Sequence, residues 1–139
     1  MKIFKILSLS LALTAFMLHS ASLQAGTGKA IYSETPAKTI VFKHPLANDA
    51  NTFFASGTVF NFEVYKAGSK EEVAKIVAAL KSDAAVELVN EGTITGDYQA
   101  FTLVLKSAKT KAWFAAEFKK AGLNTIKLNN NPVVEVEKM

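Results

Sequence analysis

Few side chains in this 139-residue chain are of a type that does chemistry. There is no cysteine, which removes thiol catalysis, thiolate metal sites and redox switching together. The two histidines are His19, just after an apolar run, and His44, beside Pro45 in turn-like sequence. A general base needs an acid, a nucleophile and a pocket around it, and the residues flanking His44 supply none of these. The densest polar group is Ser69-Lys70-Glu71-Glu72. Adjacent glutamates on a helix point about 100° apart, so they cannot face each other as a hydrolytic carboxylate pair. At most these oxygens would form a weak divalent-cation site, since calcium wants six or more of them. The expectation is a non-enzymatic binding protein without cofactor or resident metal. Its candidate binding loop or face comprises Asn61, Tyr65, Ser69, Glu72 and Trp113, since exposed aromatics concentrate binding energy. Trp113, however, precedes Phe114 and reads first as a partly buried rim residue covering the sheet edge.

The elements that must hold these residues are legible from periodicity. Val59 to Tyr65 alternates, with Phe60, Phe62 and Val64 on one side and Asn61, Glu63 and Tyr65 on the other, which predicts a strand of a one-sided sheet. Ser69 with Glu72 three residues later reads as a capping box. Behind it, Val73, Ile76, Val77 and Leu80 make one apolar helical stripe. Val86–Glu91 reads as a strand, Gly92 and Gly96-Asp97 as brackets of a hairpin loop, and Gln99–Lys106 as the partner strand. A second helix runs from about Thr110 to Ala121 and ends at Gly122, whose position suits a left-handed C′ residue. Thr125–Leu128 forms the next strand, and Val133–Val136 a short final one. Before all of these, Thr39–Lys43 is a β-branched and aromatic run expected at a sheet edge, while Thr52–Ser56 is ambiguous.

The strand–helix unit occurs twice at an offset of 41 residues. Phe60, Phe62 and Val64 recur as Phe101, Leu103 and Leu105, and Ser69, Val73, Val77 and Leu80 recur as Thr110, Phe114, Phe118 and Ala121. The resulting β-α-β-β-α-β order predicts an α+β, ferredoxin-like sandwich, an antiparallel sheet with two helices on one face, plus an extra N-terminal strand.

The first 25 residues read as an address. Lys2 and Lys5 precede an apolar run from Ile6 to Leu18, too short for a bilayer span of roughly 20 residues. Small residues follow up to Ala25, so residues 1–25 are expected to be a signal peptide, 26–38 a flexible lead-in and 39–139 a single domain. Periplasmic or secreted localisation follows, with no stable membrane anchor after cleavage. The formal charge of +4 falls to +2 when Lys2 and Lys5 leave with the signal. All sixteen basic residues are lysine, without a dense block, and arginine is the usual reader of phosphate and guanine, so nucleic acid is not an expected partner.

Asn61 to Leu128 resembles the heavy-metal-associated (HMA) domains of copper chaperones and metal-transporting ATPases. The shared features are the element order, a helix ending in Leu80 with Val86 opening the next strand, and Lys120-Ala121-Gly122 before the last strand. The resemblance implies the scaffold without its metal: the family's two cysteines fall at Ser69 and Glu72, which cannot replace thiolates for soft Cu(I). The repeated βα unit also resembles SPOR domains, which bind septal peptidoglycan, although the turns here are Lys66-Ala67-Gly68 and Lys106-Ser107-Ala108 rather than Gly-x-Phe. The expected partner is an envelope protein or glycan. A homodimer through a sheet edge or face is a further expectation.

Overall fold

Alternating burial organises the chain into a sheet carrying one covered face. A computed structural model describes residues 34–43 and 50–139; the expected signal peptide, most of the expected lead-in and His44 lie outside the described residues. Within them the order is β1 (Thr39–Phe42), α1 (Ala50–Ala55), β2 (Val59–Tyr65), α2 (Lys70–Lys81), β3 (Val86–Thr95), β4 (Tyr98–Leu105), α3 (Lys111–Lys120), β5 (Thr125–Leu128) and β6 (Val134–Glu135), closed by a 3₁₀ turn at Val136–Lys138. The architecture is α+β, with a six-stranded mixed sheet in the order β3-β4-β2-β1-β5-β6. Among the described residues no helix is long and apolar enough to cross a membrane.

The position of β1 corrects the sequence expectation. Thr39–Phe42 is not an edge strand: it lies inside the sheet, antiparallel to β2 and parallel to β5. All four residues are buried, so the run is covered on both sides rather than alternating. A short apolar run is ambiguous from sequence alone, although continuous rather than alternating hydrophobicity is the mark of an interior strand. Thr39 is tolerated there because its hydroxyl donates to the Pro36 carbonyl at 2.7 Å and lies 2.7 Å from the Thr125 hydroxyl.

Two further boundaries differ. Ala50 and Asn51, which read as part of a turn, and the ambiguous residues from Thr52 onward form α1, which brings Phe53 and Phe54 to the core. Strand β3 continues past Glu91 to Thr95, so the connection to β4 is the two residues Gly96-Asp97. Gly92 sits within a register shift between Glu91 and Ile94, where the extra residues are absorbed as a bulge.

The core lies between the helices and one sheet face. Every phenylalanine beyond the apolar N-terminal run joins one ring network: Phe42, Phe53, Phe54, Phe60, Phe62, Phe101, Phe114 and Phe118. Phe62 and Phe101 stack across β2 and β4 at 5.4 Å between centroids. Such pairs add about 0.5–1.5 kcal/mol each beyond simple burial. Both helix starts follow the repeat, with Ser69 capping α2 and Thr110 capping α3. The α3 terminus is a Schellman ending: Gly122 has φ of 77°, its N–H reaches the Lys119 carbonyl, and Leu123 N–H reaches the Phe118 carbonyl, both at 2.9 Å.

The repeat breaks at one core position. Ile76 is buried on α2, and its counterpart on α3 is Glu117, only 7% exposed. Its Oε2 lies 3.5 Å from the Lys120 ammonium but accepts no hydrogen bond.

Candidate binding face

Strand pairing fixes which residues share the sheet face opposite the core, where Thr39 and Val41 are buried and Asn61 is exposed. Tyr98, Tyr65, Thr39 and Thr125 form one cross-sheet row, and Ala100, Glu63, Val41 and Lys127 form the next. A third row joins Asn90, Thr102 and Asn61. Two of the expected site residues, Asn61 and Tyr65, thus share one face of β2, four residues apart.

Their partners differ. Asn61 Oδ1 accepts from Thr102 Oγ1 at 2.8 Å. Tyr65 stands directly opposite Tyr98, with ring centroids 5.2 Å apart, and the Lys66 ammonium lies 5.2 Å from the Tyr65 centroid. The Tyr65 hydroxyl, followed by the negative charge of Asp97, pushes the Lys66 pKa up.

Glu63 lies between Asn61 and Tyr65 along the strand, on the face where a glycan-binding reading of the sequence groups it with Asn61, Tyr65 and Thr102. Its Oε1 accepts from Lys43 Nζ at 2.6 Å, while Oε2 is buried and has no hydrogen-bond partner. The Lys43 ammonium also lies 5.6 Å from the Tyr98 ring centroid. A groove of about 470 Å³ opens here, in which Lys43, Asn61 and Glu63 meet Phe53, Ser56 and Gly57 at the end of α1, with core-side phenylalanines also in its lining. The alternation of β2 already placed Glu63 on the wetter face. That its carboxylate would be half-engaged depended on where β1 ends and Lys43 begins.

Ser69 and Glu72 stand elsewhere, at the start of α2, where both are used as a cap. Ser69 Oγ accepts from Glu72 N–H at 3.4 Å, and Glu72 Oε2 accepts from Ser69 N–H at 2.9 Å. Glu72 Oε1 takes the Lys38 ammonium at 2.9 Å. The Ser69 N–H first, and then Lys38, holds the Glu72 carboxyl below its usual range; the Ser69 hydroxyl does the same for Glu71. Gly68 fits this arrangement, since at φ of 105° a Cβ would come within 2.0 Å of Glu72 Oε2. Both carboxylate oxygens are therefore committed within the chain. Among the described residues no three acidic or histidine side chains stand together as a metal site.

Trp113 does not join the face. It is half-buried on α3, edge-on to Phe114 at 5.0 Å, and packs against the core. Searched against family models, curated proteins and solved structures, the chain matches none.

Proposed function

We propose that this chain is an exported, non-enzymatic binding protein that takes an envelope component, protein or glycan, on the sheet face opposite its core. The observation that carries this reading is a cluster of polar and aromatic side chains on one sheet face: Asn61, the Lys43–Glu63 pair and the Tyr65–Tyr98 pair, beside a groove of about 470 Å³. The Ser69–Glu72 turn supports the same reading by elimination, because its donors and acceptors are consumed in capping α2.

The scaffold reading is a ferredoxin-like unit, β2-α2-β3-β4-α3-β5, into which β1 is inserted between β2 and β5. It is an HMA-like scaffold that keeps the helix turn but not the metal ligands. Export rests on the lysine-led apolar run before Ala25.

Co-sedimentation of the purified processed protein with envelope membranes and with isolated sacculi tests the function. Saturable pelleting that is lost in an Asn61→Ala/Tyr65→Ala variant of unchanged melting temperature is the expected result. Pelleting no greater than that of a control protein in both fractions removes the reading. Export is tested separately, by fractionation and by mass spectrometry of the mature N-terminus.

A further inference from the structure

The sheet face opposite the core is complementary to itself, which identifies an occupant for it, given that it is a contact surface as its proposed role requires. Strands β2 and β4 pair over seven residues, from Val59 opposite Val104 to Tyr65 opposite Tyr98. The pairing is centred on Phe62 and Phe101, which point into the core. On the other side, Val59 and Val104 fill one end of the block, and Tyr65 and Tyr98 fill the opposite end. Leu88 on β3 pairs with Val104 and carries the aliphatic end across a third strand. Val59 is 58% exposed and Leu88 39%, two of the three exposed large hydrophobic side chains among the described residues.

A twofold axis parallel to the sheet, running across the strands above Phe62 and Phe101, exchanges these two ends. A second copy stacked through that axis lays its tyrosine pair on Val59 and Val104, and its Glu63–Ala100 row on the Asn61–Thr102 row. Stacked sheets cross at about 30°. The end rows stand about 10 Å from the axis, so this rotation moves them by about 5 Å, one strand spacing. Each end is two strands wide, so the aliphatic side chains still meet a tyrosine ring.

Charge permits the same stacking. Glu63 is the one charged side chain on this face of the β2–β4 block, and Lys43 pairs with it at 2.6 Å, so closure buries no carboxylate without its counter-ion. The sheet edges offer less. Strand β6 has two residues, while β3 carries Glu87 and Glu91 and shifts register twice, features that hinder strand addition. Strands β3, β4, β2 and β1 over seven residues span about 450 Å² of flat face, so two copies cover about 900 Å², less than the roughly 1,200 Å² of a stable interface. We infer that the chain forms a weak, exchangeable homodimer by stacking these faces, the aliphatic end of each copy on the Tyr65–Tyr98 end of the other. The dimer competes with any other partner for the face.

The cysteine-free chain suits a cross-linking test. Val59→Cys and Tyr65→Cys variants of the processed protein, separate and mixed, are treated with a short bis-maleimide. The axis sets Val59 of one copy over Tyr65 of the other, whereas the two copies of Val59 stand about 20 Å apart along the strands. Cross-linked dimer several-fold more abundant in the mixture than in either variant alone is the expected result. Sedimentation velocity of the unmodified protein should show a concentration-dependent monomer–dimer equilibrium, which the surface change Val59→Lys shifts at least tenfold towards monomer at unchanged melting temperature. Cross-linking as strong in Val59→Cys alone as in the mixture, or a dimer that Val59→Lys leaves intact, overturns the arrangement. A chain that is monomeric at every concentration removes the dimer; if it still pellets with membranes or sacculi through Asn61 and Tyr65, the face keeps its binding role for another molecule. A dimer of the expected pattern without any pelleting leaves the dimer standing and removes the envelope-component reading.

Discussion

Thr102 Oγ1 donates to Asn61 Oδ1 at 2.8 Å, and these two residues are also each other's counterparts in the 41-residue repeat. Elsewhere the two relations differ. The repeat equates Phe60 with Phe101, whereas strand pairing sets Phe60 opposite Leu103 and Phe62 opposite Phe101. Only at Asn61 and Thr102 do repeat and pairing coincide, which places the local twofold axis of the doubled unit through this hydrogen bond. The groove that Asn61, Glu63 and Thr102 line therefore lies near the junction of the two half-units.

The interior position of β1 makes Ile40 a core residue rather than a peripheral one. It is fully buried, opposite Val64 on one side and Ile126 on the other. Ile40→Ala is expected to cost about 2–5 kcal/mol, measured by urea denaturation. A loss below about 1 kcal/mol would be the behaviour of a loosely held edge and would contradict the sheet order.

The repeat predicts equivalent capping at its two helices. Ser69→Ala and Thr110→Ala should each lower stability by about 1 kcal/mol, the usual worth of an N-cap oxygen. The Ser69 change should be the larger, because Ser69 and Glu72 form a reciprocal box, whereas Thr110 only accepts from Trp113 N–H. Thermal melts of the two variants check both magnitude and order.

Glu72 gives stability a pH dependence of known sign. Its folded pKa lies below the ordinary value of 4.5, so the folded state binds fewer protons than the unfolded one. The contribution is complete above the unfolded value and is lost as pH falls through the folded one. Glu72→Gln should therefore be less stable than wild type at neutral pH, and the two should converge as the solution is acidified below about pH 4. Parallel denaturation curves at pH 7 and in that acid range measure the convergence. A gap that stays constant would mean that the carboxylate charge does not contribute.

Glu117 occupies a core position that the repeat fills with Ile76 on α2. Its carboxylate is nine-tenths covered, with an ion pair to Lys120 at 3.5 Å but no hydrogen bond to Oε2. Replacing a buried ionic group by a well-packed apolar one is often neutral or stabilising. Glu117→Leu is expected to leave the melting temperature unchanged or raise it, by an amount equivalent to about 1 kcal/mol. A clear drop would show that the Lys120 pairing contributes more than the burial costs.

Local pattern carried much of this molecule. The alternation of Phe60, Phe62 and Val64, the Ser69–Glu72 box, the apolar stripe of α2 and the Gly122 ending each depend on residues within a few positions of one another. The conformational preference of a strand, a cap or a left-handed glycine acts over that same short range. For the same reason Asn61 and Tyr65 could be put on one face, and Ser69 and Glu72 together, before any tertiary structure was known. Three decisions lay beyond that range. Thr39–Phe42 is interior because β5, more than eighty residues later, pairs along its second side. Trp113 is half-buried because Phe114, its neighbour, turns into a core assembled from five strands and three helices. Glu63 has a half-satisfied carboxylate because β1 delivers Lys43 to only one of its oxygens. Each of these depends on which distant segments pack together, and that is settled by the summed burial and pairing of the whole chain rather than by any stretch of it.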